Sequence, residues 1–176
     1  KSVVNAEKRK SVVTSLVVSK NILEFLSRFS SYEKLLRVTA WIIGFCNCKN
    51  KNIAPSTNML SAQELKEAEI KVLFIVQKSS FSSSNDEKLR NIPYMVDKNG
   101  LLRMKTRLTF RENTEDFKFS VILTLDHPVV TSIIVYKHKE LMHCGIQTLI
   151  ACLREKYWIL KVRRTVRKVI RHGGSV

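Results

Sequence analysis

At 176 residues the chain suits one ordinary domain or two small ones, and 44% hydrophobic against 26% charged residues excludes wholesale disorder. Thirty-one Lys and Arg against fifteen Asp and Glu leave a net charge of +16, which favours polyanionic partners. The most apolar stretch, residues 38–46, falls far short of the ~20 residues a membrane-spanning helix needs.

Residues 1–30 read as a linker. They mix charge with Val and Ser and carry no signal-peptide core, so an intracellular chain, nuclear or cytoplasmic, is expected. Within the linker Ile22, Leu23, Phe25 and Leu26 suit one short amphipathic helical piece. The start at Lys1 suggests a fragment of a longer polypeptide, or a truncated copy of one.

A helical connector is expected over residues 31–90. Ser30 to Glu33 has the form of a capping box, in which a Ser oxygen and a Glu carboxylate satisfy backbone N–H groups reciprocally. Leu35, Leu36, Thr39, Ile42 and Ile43 then recur at helical spacing, and the helix should end before Asn50. Residues 47–58, with Pro55, read as a polar loop. A second capping box, Ser61 to Glu64, opens a helix with the stripe Leu65, Ala68, Val72, Leu73, Ile75 and Val76, ending near Lys78. Residues 79–86 are a loop by composition.

Residues 91–126 have strand character. Asp97-Lys98-Asn99-Gly100 is a turn signal, since Asn-Gly supplies the positive φ values of a type I′ hairpin. Residues 117–125 alternate well enough for a further strand, so a small hairpin or sheet is expected.

Residues 127–176 read as three short helices of helix-turn-helix type. Pro128 suits a first helical position and Gly145 breaks the pattern. Ile146, Leu149, Ile150, Leu153 and Tyr157 mark the second helix, and Trp158-Ile159 reads as a short connection. The third places Val162, Val166, Val169 and Ile170 on one side and Arg163, Arg164, Arg167, Lys168 and Arg171 on the other. Ten basic residues between Lys137 and Arg171, against Glu140 and Glu155, carry a net +8, half the charge of the chain. Such a face suits phosphate, because each guanidinium fork donates two hydrogen bonds; a merely solvated surface is the plainer alternative. The fold class is therefore α+β, mainly α.

Chemistry beyond binding finds little support. Asp86, Asp97, Asp116 and Asp126 show no clustering of the kind a two-metal catalyst requires, so no catalytic residue is assigned and no enzyme is expected. Cys46 and Cys48, one residue apart, are too tight for a zinc knuckle and read as buried or incidental thiols. His138 and His143, five apart across a helix end, can converge on one metal, yet a structural zinc takes four ligands.

Several segments resemble, in order, the polyprotein of BEL/Pao-type LTR retrotransposons: FSSYEKLLRVTAWI from Phe29, LSAQELKEAE from Leu60, and NIPYMVDKNGLLRMKTRL from Asn91, with Lys105 and Thr106 where that family has two glycines. The stretch from His127 to Ile170 resembles its integrase N-terminal zinc-binding domain. The resemblance implies a non-catalytic module that binds element-end DNA and assists multimer assembly. It implies zinc held by two histidines and two cysteines. His138 and His143 match the histidines, but Gly173 and Val176 stand at the cysteine positions, so the site is expected to be incomplete unless His172 or Cys144 substitutes. The expected partners are DNA and a second copy of the chain, with no membrane. The alternatives are an interaction or oligomerisation spacer and an inactive polyprotein remnant.

Overall fold

A computed structural model describes residues 24–51, 59–81, 87–90, 92–105, 119–124 and 127–173. The chain is mainly helical with one four-stranded sheet, an α+β fold. Its elements, in order, are α1 (Tyr32–Lys51), α2 (Ala62–Ser80), a 3-10 turn (Glu87–Leu89), β1 (Tyr94–Val96), β2 (Leu102–Met104), β3 (Val121–Leu123), α3 (Pro128–Glu140), α4 (Ile146–Arg154), β4 (Tyr157–Ile159) and α5 (Val162–Gly173).

Helix α2 starts where its local chemistry dictates. The Glu64 N–H donates to the Ser61 hydroxyl, and the Glu64 carboxylate accepts from the Ser61 N–H at 2.7 Å. These hydrogen bonds hold the Glu64 carboxyl below the usual carboxylate range, the Ser61 backbone N–H contributing most. Helix α1 differs from expectation at its far end. It continues through Lys51, so residues 47–51 are helical rather than loop; residues 52–58 lie outside the described residues. Its buried positions are Tyr32, Leu35 and Ala40, whereas Ile42, expected on the apolar stripe, is half exposed. The short helical turn at residues 24–27, placed in the linker by sequence, belongs to the fold: Leu26 is buried and Phe25 packs edge-on against Phe29.

The sheet runs β1-β2-β3-β4. β1–β2 and β2–β3 are antiparallel, and β3–β4 is parallel. The hairpin between β1 and β2 is not the expected type I′ turn. Only Gly100, at φ +78°, takes a left-handed conformation there. Asp97 and Leu101 close a three-residue loop, the Asp97 N–H donating to the Leu101 carbonyl and the Gly100 N–H to the Asp97 carbonyl. The Asp97 carboxylate accepts from the N–H groups of Asn99 and Leu101 and from the Arg103 guanidinium at 2.6 Å. Burial alone would raise that carboxyl, but these donors outweigh it and hold it below the usual range.

Buried Gln77, near the end of α2, ties the sheet together. Its Nε2 donates to the carbonyls of Leu102 and Ile122 and its Oε1 accepts from the Leu102 N–H, all at 2.8 Å. One side-chain amide thus spans β2 and β3, where the strands themselves pair only at Arg103 and Val121.

The residues expected to connect the last two helices are a strand. Tyr157–Ile159 pairs with Val121–Leu123 in parallel, and the α3–α4 pair forms the crossover that parallel pairing requires. The basic segment is therefore stitched into the sheet. The main apolar core likewise crosses the boundaries drawn at residues 90 and 126: Leu35, Val72, Leu101, Leu123, Ile134, Leu153 and Val166 belong to one buried cluster. Phe81, Leu89 and Ile122 form a second cluster, against which Trp158 packs. Among the described residues no helix is long and apolar enough to cross a membrane.

Candidate nucleic-acid interface

Helix α5 is amphipathic in the way its spacing dictates. Val162, Thr165, Val166 and Val169 are buried, and Arg163, Arg164, Arg167, Lys168 and Arg171 are all exposed. Among the described residues none of the five is ion-paired. Their charges are thus available to an external anion rather than committed within the fold. The helix enters from β4 through Lys161, whose φ of +54° is left-handed. The Lys161 carbonyl accepts from the N–H groups of Arg164 and Thr165 and from the Thr165 hydroxyl, which fixes the direction in which α5 leaves the sheet.

The two histidines do meet. His138, in the last turn of α3, and His143, just past it, have ring centroids 4.8 Å apart, edge to face. The turn that joins them uses two left-handed residues, Met142 at φ +52° and His143 at φ +60°, and the His143 N–H donates to the His138 carbonyl at 2.9 Å. Gly145, expected to break the pattern, stands between the two helices and caps α4 in an extended conformation. The Nδ1 of His138 is buried, with no hydrogen-bond partner among the described residues.

A third ligand is harder to find. Among the described residues no group of three or more His, Cys, Asp or Glu side chains could hold a metal ion. Cys144 packs against the apolar core, and the side chain of His172 lies outside the described residues. The described donor set is two imidazoles, which does not fit the closed four-ligand zinc site that the resemblance implies. All four cysteines are free, and Cys46, expected to be buried or incidental, is exposed. Asp97 belongs to the hairpin turn; Asp86, Asp116 and Asp126 lie outside the described residues.

Sequence reasoning overlooked two features. The first is a polar staple linking α1, α2 and β4. The Glu69 carboxylate accepts from the hydroxyls of Tyr32 (3.0 Å) and Tyr157 (2.6 Å) and from the Lys156 ammonium (2.6 Å). Burial above all, with the Glu69 charge adding to it, pushes both phenols well up, so both stay protonated donors. The second is a hollow between the end of α4, β4 and the start of α5, with Arg154, Trp158 and Lys161 in its lining. Arg154 and Lys161 enter any count of basic residues, but only the β4 turn brings them beside Arg163 and Arg164. The one sequence hint was a tryptophan set among cations, REKYWILKVRR.

No protein-family model matches the chain, and no curated protein or solved structure does either.

Proposed function

We propose that the chain is a non-catalytic nucleic-acid-binding segment, of the kind that BEL/Pao-type integrases carry ahead of their catalytic core. The observation that supports this reading is the α5 face: five exposed cations, none ion-paired among the described residues, on one helix whose opposite side is anchored in the core. Arginines on a rigid helix suit phosphate oxygens better than a flexible basic tail would, because little order is lost on binding. DNA is the expected partner, and sequence-independent contact the expected mode. In this reading zinc enters only through His138 and His143, which supply two of four donors.

The test is the salt dependence of duplex binding by the whole chain. Each neutralised phosphate adds roughly −0.9 to the slope of log K against log salt. A slope of about −3 or steeper supports the reading; a slope near zero removes it.

One observation favours a second reading, an interaction spacer that associates with another copy of the chain. Trp41, Ile42 and Phe45 stand on the outer face of α1 with relative exposures of 47%, 47% and 72%. Large apolar groups grouped in this way are candidates for a covered surface. Sedimentation of the wild type and of Phe45→Ser across concentration, set beside the salt titration, separates the two readings: the spacer requires a Phe45-dependent dimer and no salt-dependent DNA binding.

A further inference from the structure

The hollow beside α5 differs in kind from the helix face. It measures about 450 Å³, and four of the residues that line it are cationic: Arg154, Lys161, Arg163 and Arg164. No carboxylate joins them among the described residues; neighbouring Glu155 lines a different cavity, with Glu33 and Glu140. None of the four cations has an ion-pair partner among the described residues. Arg154 is held in place by an aromatic surface, its guanidinium carbon 5.6 Å from the Trp158 ring centroid. That contact fixes the cation without neutralising it.

The backbone adds an independent observation. Lys161 sits at φ +54°, a conformation in which glycine would be relaxed and lysine is strained. No hydrogen bond or ion pair of the Lys161 ammonium accounts for a side chain at this position among the described residues. The lysine is costly to the fold and adds a charge to the hollow.

We propose that this hollow is a site for a phosphomonoester dianion, filled by the terminal phosphate of a nucleic-acid strand. The inference rests on the nucleic-acid reading and sharpens it. The convex face of Arg167, Lys168 and Arg171 suits the single charges of successive diesters along a backbone. Four cationic residues around one shallow hollow match the greater charge and three acceptor oxygens of a terminal phosphate. A free nucleotide offers the same chemistry, so the experiment must separate the two sources.

The experiment measures binding of the full chain to two duplexes of one sequence, with 5′-phosphate or 5′-hydroxyl ends, by fluorescence anisotropy, with a nucleoside 5′-monophosphate as competitor. The phosphorylated duplex should bind roughly tenfold tighter, the ratio that one added charge-assisted contact supplies. Arg154→Gln and Lys161→Gly should each erase most of that preference while leaving the 5′-hydroxyl duplex nearly unaffected. Lys161→Gly should also melt higher than the wild type, which excludes damaged folding as the cause. Equal affinity for the two ends overturns the inference and leaves the nucleic-acid reading standing. No affinity for either duplex overturns both. A mononucleotide that displaces the phosphorylated duplex at its own low concentration overturns the assignment to a strand end and gives the hollow to a free nucleotide.

Discussion

The Glu69 carboxylate accepts a 2.6 Å hydrogen bond from the hydroxyl of Tyr157, 88 positions further along the chain. Lys156 and Tyr32 converge on the same carboxylate, so α1, α2 and β4 share one polar junction at the edge of the common core. A largely buried carboxylate is tolerable only while such donors surround it. Glu69→Gln removes the charge that three donors address, yet Lys156 is partly exposed and retains water. We expect a loss of about 1–3 kcal/mol in urea denaturation, below the value for a fully buried pair. Tyr157→Phe should lose about 1 kcal/mol, and the double variant less than the sum. Strict additivity would mean that the junction is not coupled.

His127 makes the stability of α3 depend on pH. Its Nδ1 accepts from the Val129 N–H at 3.2 Å, capping the helix, and burial holds its pKa below the ordinary value. Protonation removes the acceptor and places a charge in a buried site. The folded state therefore binds the proton less readily than the unfolded chain. Its contribution is complete above the unfolded value near 6.5 and is lost as pH falls from there through the lower folded value. The urea midpoint should fall in that window by the equivalent of about 1 kcal/mol. His127→Asn caps without titrating and should flatten this part of the profile. If wild type and variant track each other between pH 7 and 5, the cap is not the titrating element.

Gly100 carries a strain prediction. At φ +78° an L side chain is disfavoured, and an added Cβ would lie 3.1 Å from Cε2 of Phe74. Phe74 is partly exposed and can give way, so the backbone conformation dominates the loss. Gly100→Ala should be destabilised by about 1–2 kcal/mol, and Gly100→Asn by less, since Asn tolerates the left-handed region best. Equal melting of both variants with the wild type would show that the turn relaxes freely.

What the sequence made legible was local. The Ser61–Glu64 box and Pro128 act within four residues, and both helices start where those signals stand. The α5 face was legible because exposure repeats with the helical period. β4 was not, because Tyr157-Trp158-Ile159 suits a strand by residue type but is too short to show alternation between two helices. Tyr157–Ile159 is extended because Val121–Leu123 offers it a partner. The same distance in sequence hid the Glu69 junction, while the hollow is local but needs the strand and turn that shape it. Both depend on where β4 lies, and the hollow depends also on the left-handed turn at Lys161, which a residue other than glycine does not announce. Asn99-Gly100 misled in the opposite direction: the glycine took the left-handed conformation, but Asp97 drew the turn into a longer loop.

The histidine pair allows a test by zinc addition. His138 and His143 bring two rings to 4.8 Å, while α3, α4 and α5 already share an apolar core through Val130, Ile134, Leu149 and Val166. A module held by its core does not draw its folding free energy from a metal. Zinc at micromolar concentration should leave the melting temperature within about 2 °C, a shift equivalent to about 0.5–1 kcal/mol. A rise of about 10 °C that disappears in His138→Ala would show that His172, or another donor outside the described residues, completes a site.

The cationic face is best tested by changing charge without changing the fold. Arg163, Arg164 and Arg167 are exposed and touch the core little, so the triple Gln variant should keep the wild-type stability within about 0.5 kcal/mol. Its DNA affinity should fall, and its salt slope should become shallower by about 2–3, three contacts at roughly 0.9 each. Affinity and slope must change together. A weaker affinity at unchanged slope would mean that the arginines orient some other contact rather than neutralise phosphates. An unchanged affinity would leave α5 as a solvated face and shift attention to Trp41, Ile42 and Phe45, where the spacer reading places the interaction. The two surfaces lie on different helices, so Phe45→Ser and the triple Gln variant can be combined in one chain. Under the nucleic-acid reading the combined variant binds DNA as the triple variant does; under the spacer reading it differs from the wild type only in self-association.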